Sequence, residues 1–298
     1  MTDASADLFP GFRVFDIATA ATTIHGVTGG NGPPLLLLHG YPQTHAMWHK
    51  VAGRLADRFT IVAADLRGYG DSGKPPSGPD HAAYSKRAMA LDMAEVMTGL
   101  GHHQFVVCGH DRGGRVAHRL ALDHASRVSR LAVLDIAPTR EMYRDTTDAF
   151  ARAYAHWFYL IQQFPLPERM IGADPVDYWK RKCGAGPAGL APFAPAALAE
   201  YLRCFAKTET IHATCEDYRA AASLDIRHDD ADAGAKVGCP LLALWGRDGV
   251  IERCFDALAL WRERAADVQG EALPGGHYLA EELPDLVAEK LVAFFERA

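Results

Sequence analysis

The chain of 298 residues, 49% hydrophobic and 23% charged, has the make-up of a globular protein with a large core. Its formal charge of -6 is spread along the sequence, with no basic stripe to attract phosphate backbones or an anionic membrane surface, so nucleic acid is not an expected partner. Met1 to Pro10 lacks the basic and apolar regions of a secretory signal, and no apolar run reaches the ~20 residues needed to cross a bilayer.

In chain order, a hairpin is expected from about Gly11 to Gly29, followed by buried strands at Pro34 to His39, Thr60 to Asp65, Gln104 to Gly109, Leu131 to Ile136, Pro240 to Trp245 and Val268 to Leu273. Helical patterns fall between and after them, at Thr44 to Arg58, Tyr84 to Leu100, Arg112 to His124, Cys254 to Ala266 and Leu283 to Glu296. Short apolar runs alternating with amphipathic stretches predict an α/β protein with a mostly parallel, doubly wound sheet. The rhythm breaks between Ala137 and about Val237, where Tyr, Trp, Phe, Ala and Pro are frequent and no buried strand is evident. A structureless loop of that length is improbable, so this stretch reads as an inserted helical cap. The expected division is a core of residues 1–137 and 238–298 with a cap at 138–237, and the Gly184 to Ala197 stretch bending between cap helices.

Ligands of parallel sheets bind at the carboxyl ends of strands, so the residues there carry the functional argument. The strand Gln104 to Gly109 runs into Gly109-His110-Asp111-Arg112-Gly113, a G-x-nucleophile-x-G elbow with Asp111 as nucleophile. The last strand leads to Gly275-Gly276-His277, and His277 is the expected general base. Two acids could orient it: Asp135, in Leu-Asp-Ile-Ala-Pro, and Asp248, after Trp245-Gly246-Arg247. Asp135 is the preferred triad acid, because the motif that places an acid after the later strand has Gly249 in the required position. The turn His39-Gly40-Tyr41-Pro42 is the expected oxyanion hole, formed by the backbone N–H groups of Tyr41 and Arg112. Asp65-Leu66-Arg67-Gly68-Tyr69-Gly70-Asp71-Ser72 matches a D-x-R-G-x-G-x-S signature, and together these motifs resemble the α/β-hydrolase superfamily.

A carboxylate is a poor nucleophile at acyl carbon but can displace a leaving group from saturated carbon. The ester on Asp111 is then opened by water activated by His277. That chemistry leaves dehalogenases and epoxide hydrolases as candidates. Arg112 and Arg115, three residues apart on one helix, could both face a small pocket and hold an anionic substrate.

His110-Asp111-Arg112-Gly113-Gly114-Arg115, the Leu-Asp-Ile-Ala-Pro strand end, His156-Trp157 and Cys215-Glu216-Asp217-Tyr218-Arg219 resemble the fluoroacetate and haloacetate dehalogenase family. The resemblance covers essentially the whole chain. It implies that Arg112 and Arg115 bind a substrate carboxylate, that His156, Trp157 and Tyr218 bind halide, and that the protein is a homodimer. The expected substrate is a small anionic organohalide such as a 2-haloacetate, with no metal or organic cofactor. An epoxide hydrolase using Asp111, His277 and two of Tyr154, Tyr159, Tyr178, Tyr201 and Tyr218 is the alternative. Cys108, Cys183, Cys204, Cys215, Cys239 and Cys254 are scattered without C-x-x-C spacing, so free thiols in a reducing cytoplasm are expected.

Overall fold

A computed structural model describes residues 8–297. The N-terminal expectation for Met1 to Pro10 thus falls mostly on residues outside those described. The strands are β1 (Arg13–Ala18), β2 (Thr23–Gly30), β3 (Pro34–Leu38), β4 (Thr60–Ala64), β5 (Phe105–His110), β6 (Val128–Leu134), β7 (Leu241–Gly246) and β8 (Val268–Leu273). They form one eight-stranded sheet in the order β1-β2-β4-β3-β5-β6-β7-β8. β1 pairs with β2 and β2 with β4 antiparallel; every other pairing is parallel.

Leu35 to Leu38 and all of β5 are buried, as central parallel strands covered on both faces must be. Three helices interleave with the first parallel strands: α1 (His49–Leu55), α2 (Lys86–Gly99) and α3 (Arg112–Asp123). The expected helix over Thr44 to Arg58 is split, because His45–Trp48 is a 3-10 turn capped by the Thr44 side chain before α1 begins. β8 differs from the expectation of a buried strand. It has a neighbour on one side only, and of its residues Leu273 alone is buried.

Between β6 and β7 the chain runs through α4 (Thr139–Arg144), α5 (Asp148–Ala153), α6 (Ala155–Leu160), α7 (Leu166–Ala173), α8 (Pro175–Cys183), α9 (Pro195–Phe205), α10 (Thr208–Ala221) and α11 (Leu224–Ala231), with no strand among the described residues. α12 (Val250–Cys254), α13 (Ala257–Arg264), α14 (Leu279–Glu282) and α15 (Pro284–Phe295) complete the fold. No helix among the described residues is long and apolar enough to cross a membrane.

The strand order itself selects the site. From β3 the chain passes to β4 on one side and then to β5 on the other, so the winding reverses between β3 and β5. The connections leaving those two strands diverge and open a crevice at their carboxyl ends. Tyr41 follows β3 and Asp111 follows β5.

Candidate active site

Asp111 stands between β5 and α3 with φ 44° and ψ -114°, a conformation that side chains rarely adopt. Close packing enforces it. A Cβ on Gly109 would lie 2.4 Å from the Gly113 carbonyl oxygen, and one on Gly113 would lie 2.4 Å from that of His39. Small residues on either side therefore let the turn fold tightly enough to present the carboxylate at its apex. Asp111 Oδ2 accepts the Tyr41 backbone N–H at 3.1 Å. Arg112 opens α3, where the first N–H groups of any helix have no intrahelical acceptor. Burial would raise the Asp111 pKa, but the electrostatic influence of His277, Arg115, His110 and Arg112 outweighs it and holds the carboxyl well below the usual range.

His277 Nδ1 lies 2.6 Å from Asp135 Oδ2. An ionised carboxylate only accepts hydrogen bonds, so Nδ1 carries the proton and Nε2 keeps its lone pair. The other Asp135 oxygen accepts the Gly246 N–H at 2.9 Å, and the residue has a positive φ of 49°. Asp248 is exposed instead, its backbone N–H donating to the Gly275 carbonyl at 3.0 Å. The geometry thus pairs the base with the first of the two candidate acids.

Behind the base, His110 Nε2 contacts the His277 carbonyl oxygen at 2.8 Å, and the two rings lie 4.6 Å apart. A carbonyl accepts only, so this imidazole is the neutral Nε2–H tautomer. Burial, with the charge of His277, lowers its pKa to about 3. This supporting role is absent from the sequence reading, although the elbow motif contains His110.

Arg112 and Arg115 are buried. The Arg112 guanidinium lies 4.2 Å over the Tyr218 ring, and that of Arg115 4.7 Å over the Trp157 ring. Arg112 Nε and Nη2 donate to Asp217, while Arg115 Nη1 donates to the Ala137 carbonyl and Thr139 Oγ1. Each guanidinium keeps one buried nitrogen without a partner: Arg112 Nη1 and Arg115 Nε. The Asp217 contact is a second feature that sequence reasoning misses.

His156, Trp157 and Tyr218 come together in the same region. The His156 ring stacks on Tyr41 at 6.2 Å and meets Tyr218 edge-on at 5.8 Å, with Trp157 6.5 Å from Tyr218. Trp157 Nε1 and the Tyr218 hydroxyl are buried without hydrogen-bond partners. Leaving such a group unpaired costs about 1–3 kcal/mol, so both are suited to receive an anion. Burial and the charge of Lys182 lower the His156 pKa well below its ordinary value, leaving a neutral ring with one N–H to donate.

Of the tyrosines that an epoxide-opening site would need, Tyr201 is engaged elsewhere, donating to Glu281 at 2.5 Å. Tyr178 accepts from Tyr41 at 3.0 Å and keeps its own O–H. Tyr154 lies 6.3 Å from His277, edge-on.

The six cysteines are free, and burial pushes the Cys108 and Cys183 thiols up, the latter to about 11 with Tyr278 and Asp111 nearby. His25, His45 and Asp65 bring three donor atoms together, but Asp65 Oδ1 accepts from the His45 backbone and ring, and Oδ2 from the Asp71 N–H. Those contacts tie β4 to the turns around it.

A family model for the alpha/beta hydrolase fold matches residues 33–178. A fluoroacetate dehalogenase from Burkholderia sp is 45% identical over 98% of this chain and 96% of its own length. A soluble epoxide hydrolase from Corynebacterium sp. (strain C12) is 34% identical over 91% of this chain and 93% of its own. A crystal structure from Nostoc sp PCC 7120, classed as an alpha/beta hydrolase, superposes with a TM-score of 0.93 at 56% identity, covering 96% of this chain and 99% of that one. With an aspartate at the elbow and a high-identity relative matched end to end, the chain belongs to the fluoroacetate and haloacetate dehalogenase family of the α/β-hydrolase superfamily.

Proposed function

We propose that the protein hydrolyses short 2-haloacids, haloacetates above all, to the 2-hydroxy acid and halide through an ester of Asp111. The observation that carries this reading is the pair of buried guanidinium groups beside the nucleophile, each with an unpartnered nitrogen. Two cations there suit a carboxylate-bearing substrate and offset its repulsion from Asp111.

Tyr41 N–H already holds Oδ2, so Oδ1 is the attacking oxygen. It displaces halide from the α-carbon, forming the C–O bond as the carbon–halogen pair leaves with the halide. His156, Trp157 and Tyr218 donate to the departing ion in place of water. His277 Nε2 then takes a proton from water, and the hydroxide adds to the Asp111 carboxyl carbon. The resulting oxyanion rests on the Tyr41 and Arg112 N–H groups. Collapse breaks the ester bond, and the alkoxide of the hydroxy acid takes its proton from the His277 imidazolium.

Segment 138–237 serves as the cap that encloses this pocket. A cytoplasmic location fits the free thiols, and a homodimer fits the exposed cluster of Phe164, Leu166 and Met170 on and just before α7. An epoxide hydrolase is the second reading, favoured by Tyr154 near His277 and the unpartnered Tyr218 hydroxyl. Incubation with fluoroacetate, chloroacetate and styrene oxide separates them. Halide release from the haloacids without diol from the oxide is expected; the reverse overturns the assignment.

A further inference from the structure

The Arg112 guanidinium is held on two edges and one face. Asp217, on α10, takes Nε through Oδ2 at 2.9 Å and Nη2 through Oδ1 at 2.5 Å, and its backbone carbonyl takes Nη2 again at 2.9 Å. The Tyr218 ring covers a face. Nη2 is spent on both the Asp217 carboxylate and its backbone carbonyl, so neither the Nε/Nη2 fork nor the Nη1/Nη2 fork with which arginine usually grips a carboxylate is on offer. Only Nη1 remains, buried and unpaired. Arg115 is held in a comparable way. Its Nη1 is taken by Ala137 and Thr139, its Nη2 lies 3.3 Å from Met142 Sδ, and only Nε is left.

We propose that Asp217 is a positioning residue for substrate recognition. By consuming Nε and Nη2 of Arg112 it converts the two arginines into a split clamp, with Arg112 Nη1 on one carboxylate oxygen and Arg115 Nε on the other. This inference rests on the haloacid reading of the site and adds how the carboxylate is gripped.

A buried Asp beside Arg112 would cancel the positive charge that the substrate needs, but Lys86 answers it. The Lys86 ammonium pairs with Asp217 Oδ1, and the Tyr69 hydroxyl donates to Oδ2 at 2.6 Å. Arg112 and Lys86 together hold the Asp217 carboxyl at about 2 against the effect of burial, so it is ionised and matched by Lys86. Asp225 is a weaker partner for the Lys86 ammonium, its Oδ2 3.9 Å away, while its Oδ1 accepts the Lys86 backbone N–H at 2.8 Å; burial raises its pKa. Arg112 is thereby left positive toward the pocket. Because Asp217 belongs to α10 while Lys86, Tyr69 and Arg112 belong to the sheet domain, seating of that helix and orientation of the clamp are a single event.

The test compares wild type with Asp217→Asn on chloroacetate and on its uncharged analogue chloroacetamide. The amide side chain keeps the shape but loses the charge and one acceptor. KM for chloroacetate should rise about tenfold with kcat little changed, and preference for the acid over the amide should fall by a similar factor. A purely structural role would depress both substrates alike and overturns the proposal, as does an unchanged KM. If the variant does not fold, a crystal structure of the wild type with glycolate decides: the carboxylate on Arg112 Nη1 and Arg115 Nε supports the clamp, and a carboxylate on Arg112 Nε and Nη2 with Asp217 displaced overturns it. Failure of the wild type to release chloride from chloroacetate would instead sink the haloacid reading itself.

Discussion

Asp135 distributes its two oxygens between a backbone donor and the base, and that division makes its substitution informative. Gly246 N–H pins Oδ1, so in Asp135→Asn the amide oxygen stays there and the NH2 group faces His277 Nδ1. The imidazole would then have to accept at Nδ1 and carry its proton on Nε2, the wrong tautomer for a base. Turnover of chloroacetate should fall about 10³ to 10⁴-fold, the scale seen when a triad acid is made an amide. Formation of the ester needs no base, so a burst of one chloride per site should survive in rapid-mix measurements. Asp248→Asn, altering an exposed side chain, should stay near wild type. A larger loss at Asp248 than at Asp135 would reverse the assignment of the acid.

The elbow shows at the scale of elements which glycines matter. A methyl group at Gly113 would press on the His39 and Leu38 carbonyl oxygens at 2.4 and 2.5 Å, and β3 backbone in the middle of the sheet cannot yield as a side chain could. Gly53, exposed inside α1, has open space where its Cβ would be. Gly113→Ala should therefore lower stability by about 1–3 kcal/mol or more, whereas Gly53→Ala should raise it by about 1 kcal/mol or slightly less. Thermal denaturation of the two variants checks both signs, and a stable Gly113→Ala would mean that β3 and α3 can separate more easily than their packing implies. The same elements explain what the sequence makes legible. Asp111 and Asp135 each follow a buried strand and His277 follows the edge strand β8, all within short local motifs, so the order of strands is enough to gather them. Asp217 stands 105 positions from Arg112 and 131 from Lys86, and no local pattern distinguishes it from an ordinary helix acid. β8 is expected to be buried although it carries Gln269 and Glu271, and the pairing order shows that it is an edge.

Acid sensitivity belongs to the whole molecule, because it sums over imidazoles that folding shuts away from protons. Burial lowers the pKa of both His110 and His118 to about 3, and that of His39 in the same direction. His118 is the most separable of these. It lies outside the site on α3, packed edge-on against Trp261 at 5.2 Å, with Nε2 unpartnered and Arg119, Arg264 and Arg115 adding positive charge. Its folded pKa lies below the unfolded one of about 6.5, so between those values the unfolded chain binds a proton that the folded chain does not. Stability contributed by this group is thus complete above about pH 6.5 and is lost on acidification at up to about 1.4 kcal/mol per pH unit, until the folded group also titrates. His118→Gln removes one such proton without removing His110 or His39. Unfolding free energies from denaturant titrations between pH 4 and 6 should therefore vary less steeply in the variant by close to one proton, even if the variant is less stable at pH 7.5. Parallel curves would mean that His118 is protonated in the folded protein and that the three arginines around it are better solvated than their burial indicates.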